Sequence, residues 1–230
     1  MSKTQLSDSQ ILSYVDHTLL KPIASWGDIE LLCDEAQEHK VASVCVPPTY
    51  ISRIHNKYGS DLVICTVVGF PLGYSSTDAK LAEVRQAIAE GAAEVDMVIN
   101  ISDAKNGDFS KITQEITELK AACQKQNPNS ILKVIVETCY LTEAEKIRLC
   151  GCVTEGGADF IKTSTGFGTD GAALEDIILF KQHISSNVKI KAAGGIKTRE
   201  DMVAFIEAGC ARLGTSSAIK ILTSQSADSY

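Results

Sequence analysis

Eight short apolar runs alternate along this chain with stretches of helical period, and that alternation narrows the folds open to it. The runs are VDHTLL (15–20), VASVCV (41–46), LVICTVV (62–68), EVDMVIN (94–100), LKVIVET (132–138), DFIKTS (159–164), VKIKAAG (188–194) and ARLGTS (211–216). Between them, segments such as 28–40, 77–91, 108–126, 142–156 and 198–209 repeat apolar residues every three or four positions, as on a buried helix face. Alternation of this kind means parallel strands joined by right-handed crossovers. Eight units in 230 residues predict a single α/β domain spanning 1–230, folded as a closed (β/α)8 TIM barrel. A weak repeat agrees: AEGAAEVDMV (89–98), TEGGADFIKT (154–163) and EAGCARLGTS (207–216) each set a glycine just past a helix and then enter a strand. An open flavodoxin-like sheet needs fewer strands, and a nucleotide-binding Rossmann unit lacks its GxGxxG after the first run. The polar end TSQSADSY (223–230) is expected to be a mobile tail.

Composition excludes several classes of partner. Hydrophobic residues make up 44% and charged residues 22%, enough for a substantial core. The net charge of −7 argues against nucleic acid or an anionic membrane, so any bound anion must be held by a local site. The N-terminus MSKTQLSDSQ lacks the apolar segment of a signal peptide, and no run approaches a membrane span; a cytoplasmic protein is expected. The eight cysteines form no CxxC pair, and the four histidines form no ligand cluster. They predict reduced, buried thiols, no metal and no cofactor.

Two lysines carry the chemistry. Lys162 in FIKTSTGF and Lys191 in KIKAAGGI each stand inside an apolar run just before a glycine-bearing turn. A buried amine is costly unless paired or neutralised. If the two strands are neighbours, both side chains reach one pocket at the C-terminal mouth of the barrel. One positive charge then lowers the pKa of the other and frees a lone pair for Schiff-base chemistry. The competing reading is a salt-bridged or snorkelling lysine. Side-chain alternation places Phe160, Lys162 and Ser164 on one face, and Lys189 lower than Lys191, near the strand entrance, in a structural role. Asp96 in EVDMVIN is an inward carboxylate that can shuttle protons or simply pair with a lysine. Asp16 can orient a substrate hydroxyl or cap the following turn.

The last loops read as an anion cradle. Gly194 and Gly195 follow the seventh run, and Gly214-Thr215-Ser216-Ser217 follows the eighth and opens a helix. Barrels of this type commonly bind phosphate on these two loops, and Gly166 after the sixth run can join them.

Taken together, DHTLLKP (16–22), VCVPP (44–48), VVGFPLG (67–73), EVDMVIN (94–100), VIVET (134–138), FIKTSTGF (160–167), KAAGGI (191–196) and GTSS (214–217) resemble the deoxyribose-phosphate aldolase family, in family order from about residue 14 to 222. The resemblance implies a metal-independent class I aldolase that takes small phosphosugar and aldehyde substrates and serves deoxynucleoside breakdown. It makes Lys162 the Schiff-base lysine, with Lys191 and Asp96 the proton-transfer pair. Gly166, Gly194, Gly195, Ser216 and Ser217 then hold the phosphate, and Asp16, Thr18 and Cys45 line the sugar cleft. A homodimer is compatible with such a family, though no motif specifies one. Phe167 stands where some members carry lysine after KTSTG, and Lys197 is the candidate for the missing charge. Tyr230 ends the chain, as tyrosine does in some relatives; an extended tail from Leu222 can reach back over the mouth and deliver a phenol for proton relay. The alternatives are another phosphosugar barrel enzyme, either a different lysine aldolase or an isomerase, and a non-catalytic phosphosugar-binding barrel.

Overall fold

The computed structural model describes residues 6–227. Its elements run α1 (Asp8–Leu12), β1 (Val15–Thr18), α2 (Trp26–His39), β2 (Ser43–Val46), α3 (Ile51–Tyr58), β3 (Ile64–Val68), α4 (Thr77–Ala89), β4 (Glu94–Val98), α5 (Ile101–Asn106), α6 (Phe109–Gln126), β5 (Ile131–Ile135), α7 (Glu143–Glu155), β6 (Phe160–Lys162), α8 (Leu174–His183), β7 (Lys189–Ala193), α9 (Arg199–Ala208), β8 (Arg212–Thr215) and α10 (Ala218–Ala227). The strands close into a parallel barrel in chain order, with β8 pairing back onto β1. Each of the eight apolar runs holds one strand, β5 starting one residue ahead of its run, and closure leaves no open sheet edge.

Local chemistry sets the helix boundaries. Ser25, Thr142 and Thr198 open α2, α7 and α9 as N-caps, each exchanging hydrogen bonds with an acidic residue three positions on. At the repeated helix-to-strand joints, Gly91, Gly157 and Gly209 take positive φ, where other residues are strained. The main core lies between the barrel wall and the helix ring and includes Met97, Ile112, Leu132, Ile161, Phe180 and Leu213.

The structure departs from the sequence expectation at two kinds of place. The amphipathic helices α3 and α8 lie outside the stretches that periodicity marked, and so do the short α1 and α5. The expected tail is also shorter: α10 continues through Ala227, so Thr223–Ala227 is helical. Ala218, Ile219 and Leu222 anchor this helix in the core. The hydroxyl of Thr223 donates to the Ile219 carbonyl at 2.8 Å, one turn back. Tyr230 lies outside the described residues. Among the described residues, no helix is long and apolar enough to cross a membrane.

One buried contact ties the helix ring to the end of β4. Lys80 on α4 is fully buried, donating to the Val98 carbonyl at 2.8 Å and to Glu115 Oε2 on α6 at 2.8 Å. Burial pushes the Lys80 amine below its usual pKa, and Glu115 opposes that shift. Breaking one side of a buried pair strands the other charge. Lys80→Met is therefore expected to destabilise the fold by about 3–5 kcal/mol in urea titration. Adding Glu115→Gln to it is expected to recover part of that loss.

Candidate active site

The barrel interior is built from charges. Register aligns Lys162 with Lys191 across β6 and β7, and Asp96 with Lys133 across β4 and β5. Strand alternation turns all four inward. Lys162 Nζ donates to Asp96 Oδ2 at 2.8 Å, and Lys191 Nζ donates to the same oxygen at 2.7 Å. Lys133 Nζ donates to Asp96 Oδ1 at 2.8 Å and lies 2.7 Å from Glu94 Oε2. Lys191 Nζ also lies 2.5 Å from Asp16 Oδ2. Arg212 closes the cluster below, reaching Asp16 Oδ1 at 2.5 Å and Glu94 through bonds of 2.9 and 2.7 Å.

This connected cluster has three carboxylates, from Asp16, Glu94 and Asp96, and four cationic side chains, from Lys133, Lys162, Lys191 and Arg212. Burial alone raises the Asp96 carboxyl, but Lys133, Lys162 and Lys191 outweigh it and hold the group well below the usual range. Asp16 is likewise pushed up by burial and pulled further down by Lys191, Lys133 and Arg212. Burial works against the charge on Lys191, yet Asp16 and Asp96 raise its pKa above the ordinary lysine value. Lys133 is raised in the same way, chiefly by Asp96. Lys191 and Lys133 therefore keep their protons at neutral pH. The two lysines of the sequence motif do not face each other bare; Asp96 bridges them.

Above the cluster, a cleft of about 500 Å³ opens at the C-terminal mouth. Of the three clustered lysines, Lys162 alone lines it. Gly166, Gly194, Gly195, Ser216, Ser217 and Thr18 line it as expected, with Phe167 and Lys197 at its edge and Lys21 added from the β1–α2 loop. Among the described residues, the amides of Gly166, Gly194, Gly195 and Ser216 have no internal hydrogen-bond acceptor and remain available to a ligand. Gly194 and Gly195 reach this arrangement at φ of 81° and 74°. Gly171 packs on Gly194 so closely that a Cβ there would meet the Gly194 carbonyl carbon and oxygen at 2.4 Å. The β6–α8 and β7–α9 loops thus meet backbone to backbone.

Two expected cleft residues lie deeper. Cys45 is fully buried beside Cys65 in the β2–β3 register, and Asp16 is sealed in the charge cluster, so neither lines the cleft. Strand parity points both inward but does not set their depth. Asp16 caps no turn; it accepts from Ser43 at 2.7 Å and pairs with Lys191 and Arg212. Lys189 is exposed at the start of β7, 5.7 Å from the Phe160 ring centre, in keeping with a structural role. The Ser164 hydroxyl is buried without a partner among the described residues.

Sequence reasoning passed over Lys133, Glu94 and Arg212. The signal was present: Lys133 interrupts an apolar run as Lys162 does, and Glu94 stands two residues before Asp96 on the same strand face. Folding also brings together donors that sequence spacing keeps apart. Cys45, Cys65 and Asp96 lie within 4.8 Å of one another, as do Asp16, Cys65 and Glu94. Ammonium or guanidinium groups already contact all three of those carboxylates, so the donors face resident cations.

The DeoC/LacD family aldolase profile matches residues 10–218. The deoxyribose-phosphate aldolase of Clostridium botulinum (strain Alaska E43 / Type E3) is 60% identical over 98% of this chain and 100% of its own length. That of Clostridioides difficile (strain 630) is 56% identical over 96% of this chain and 99% of its own. Among solved structures, the aldolase QR15 is 37% identical, with a TM-score of 0.87 over 94% of this chain and 96% of its own. The deoxyribose phosphate aldolase of Aeropyrum pernix, described as a unique tetramer, is 29% identical, with a TM-score of 0.84 over 96% of this chain and 92% of its own. This chain belongs to the DeoC/LacD family of aldolases.

Proposed function

We propose that this aldolase reversibly cleaves 2-deoxy-D-ribose 5-phosphate into acetaldehyde and D-glyceraldehyde 3-phosphate through a Schiff base on Lys162. One observation carries the reading: Lys162 lines the cleft while sharing an Asp96 oxygen with the fully buried Lys191. The names of the relatives, at 56–60% identity over nearly the whole chain, support the substrate. The unpaired amides of Gly166, Gly194, Gly195 and Ser216 suit its phosphate, with Lys197 and Lys21 adding positive charge at the mouth. A substrate of this class arises from deoxynucleoside breakdown, which is the metabolic role we assign.

The charge count explains how an amine becomes a nucleophile here. Four cationic groups face three carboxylates, so loss of one proton brings the cluster to neutrality. Lys162 is the clustered lysine that meets the cleft, and the reaction uses it as the free amine. Its free amine adds to the sugar aldehyde carbon, and the carbinolamine loses water to give an iminium. Deprotonation of the C3 hydroxyl breaks the C2–C3 bond, and the bonding pair moves into the iminium to form an enamine. D-glyceraldehyde 3-phosphate leaves, C2 of the enamine is protonated, and water releases acetaldehyde from Lys162. Asp96 and Lys191 move these protons, since Asp96 contacts the Lys162 nitrogen and Lys191 donates to the same Asp96 oxygen.

Borohydride added with acetaldehyde is expected to inactivate the enzyme by reductively ethylating Lys162, as read by peptide mapping. Modification at Lys191 instead, or no adduct, would reject the assignment. Lys191→Leu leaves three cations against three carboxylates and removes the amine that shares Asp96 Oδ2 with Lys162. Turnover is expected to fall at least about a hundredfold at pH 7 and to recover partly toward alkaline pH. A variant with the wild-type pH–rate profile would show that the two amines are uncoupled. Exhaustive EDTA treatment is expected to leave turnover unchanged; a loss restored by a divalent cation would point to a metal-dependent aldolase.

A further inference from the structure

The mechanism leaves one buried acid unused. Glu137, in the VIVET run, sits at the top of β5 and is 2% exposed. Among the described residues, only it and Lys40 are non-glycine residues at positive φ. Lys40 closes helix α2, where a left-handed residue is common. Glu137 closes no helix; at φ 59° and ψ 68° it stands between β5 and the single tight turn that follows. A strained backbone holding a buried carboxylate persists only where its surroundings fix it, and such residues gather at functional sites.

What surrounds the carboxylate is the loop that follows Lys162. Glu137 Oε1 accepts from the Thr165 amide at 3.1 Å, and Oε2 accepts a very short hydrogen bond from the Thr165 hydroxyl. That hydroxyl in turn accepts from the Phe167 amide at 3.0 Å. The amides on either side of Gly166 are therefore spent inside the loop, and the Gly166 amide alone is left for the cleft. Gly168 packs against the same group: a Cβ there would lie 3.2 Å from Glu137 Cδ and 2.8 Å from Cys139 Sγ. Backbone bonds hold the base of the loop separately, with Val136 N–H on the Lys162 carbonyl at 3.0 Å and Thr138 N–H on the Thr163 carbonyl at 2.9 Å. Lys162 is thus fixed by the sheet, while the arch beyond it is fixed by Glu137.

We infer that Glu137 is a positioning residue for recognition of the substrate's anionic end: its carboxylate clasps Thr165 so that the Gly166 amide points into the cleft. This rests on the proposed reading of the cleft as a phosphosugar site. The clasp acts on binding of the phosphate end and not on the chemistry at Lys162, so its loss separates KM from kcat and phosphorylated from unphosphorylated substrate. A merely structural role would weaken both substrates alike.

The test compares wild type, Glu137→Gln, Thr165→Val and the double variant on 2-deoxyribose 5-phosphate and on 2-deoxyribose, with inorganic phosphate as a competitive inhibitor. Glu137→Gln keeps the side-chain volume but can no longer accept two bonds on a charged group. Its KM for the phosphorylated sugar is expected to rise about tenfold, and the inhibition constant for phosphate to weaken by a similar factor. Turnover at saturation and kcat/KM for 2-deoxyribose are expected to stay within about twofold, and borohydride trapping at Lys162 to stay intact. Thr165→Val removes the hydroxyl bond from the other side and is expected to show the same selective loss. The double variant is then no worse than either single one, because both cut one connection. An unchanged KM, equal losses on both sugars, additive losses in the double variant, or failure of trapping in Glu137→Gln would each overturn the inference. A wild-type enzyme that traps acetaldehyde at Lys162 yet shows no preference for the phosphorylated sugar overturns the anion site and the clasp together but leaves the Schiff base standing. A wild type that is not trapped removes the Schiff-base reading itself.

Discussion

The structure depends on a buried imbalance of charge. Six of the eight strands send ionised side chains into the barrel: β1 gives Asp16, β4 Glu94 and Asp96, β5 Lys133, β6 Lys162, β7 Lys191 and β8 Arg212. Removing so many charges from water is costly, and each is tolerated because opposite charges on other strands, several of them across the barrel, contact it. The cluster therefore exists only when the barrel is closed and in register. A slip of one residue between β6 and β7 would turn one lysine of the pair outward and leave Asp96 underpaired. The same closure that hides the carboxylates holds Lys133 and Lys191 charged, and leaves Lys162 as the clustered lysine that meets the cleft.

Strands and loops divide the work accordingly. The strands carry charge to a dry interior, where hydrogen-bond geometry fixes it. The loops at their C-terminal ends carry backbone amides, which need no side-chain charge to receive an anion. Lys162 stands where the two regimes meet, as the last residue of β6 and the first after which the chain leaves the sheet. Its neighbours in sequence already belong to the anion-facing arch, while its Nζ belongs to the charge cluster. One residue thus joins the reacting centre to the recognition surface, and the spacing between them is set by the rise of three or four residues of chain.

Much of this was readable in the sequence, and what escaped has a physical cause. Strand existence followed from β-branched runs, and the pairing of Lys162 with Lys191 followed from their comparable places in consecutive runs. Depth did not follow. Alternation says that Asp16 and Cys45 point inward, but only barrel closure decides that other side chains cover them while Lys162 meets the cleft. Lys133 escaped because no glycine turn follows it, the cue that singled out Lys162 and Lys191, although parity would have found it; Arg212 stands at the first position of β8, away from the strand end where that cue looks.

The departure at Phe167 is understood on the same terms. A lysine at this point would add a charge to the mouth; the phenyl ring instead meets Phe70 edge to face, with ring centres 5.3 Å apart. Phe70 belongs to the loop after β3 and Phe167 to the loop after β6, so the contact braces loops that approach the mouth from different strands. Its amide already bonds the Thr165 hydroxyl, which gives the ring a fixed root. Positive charge on the cleft wall instead comes from Lys21 after β1 and Lys197 after β7. The cradle itself is made of amides and does not depend on which loop supplies the cation. Exchanging a charged side chain for an aromatic brace therefore shifts the source of attraction around the mouth while leaving the donors that fix the anion's position where the backbone put them.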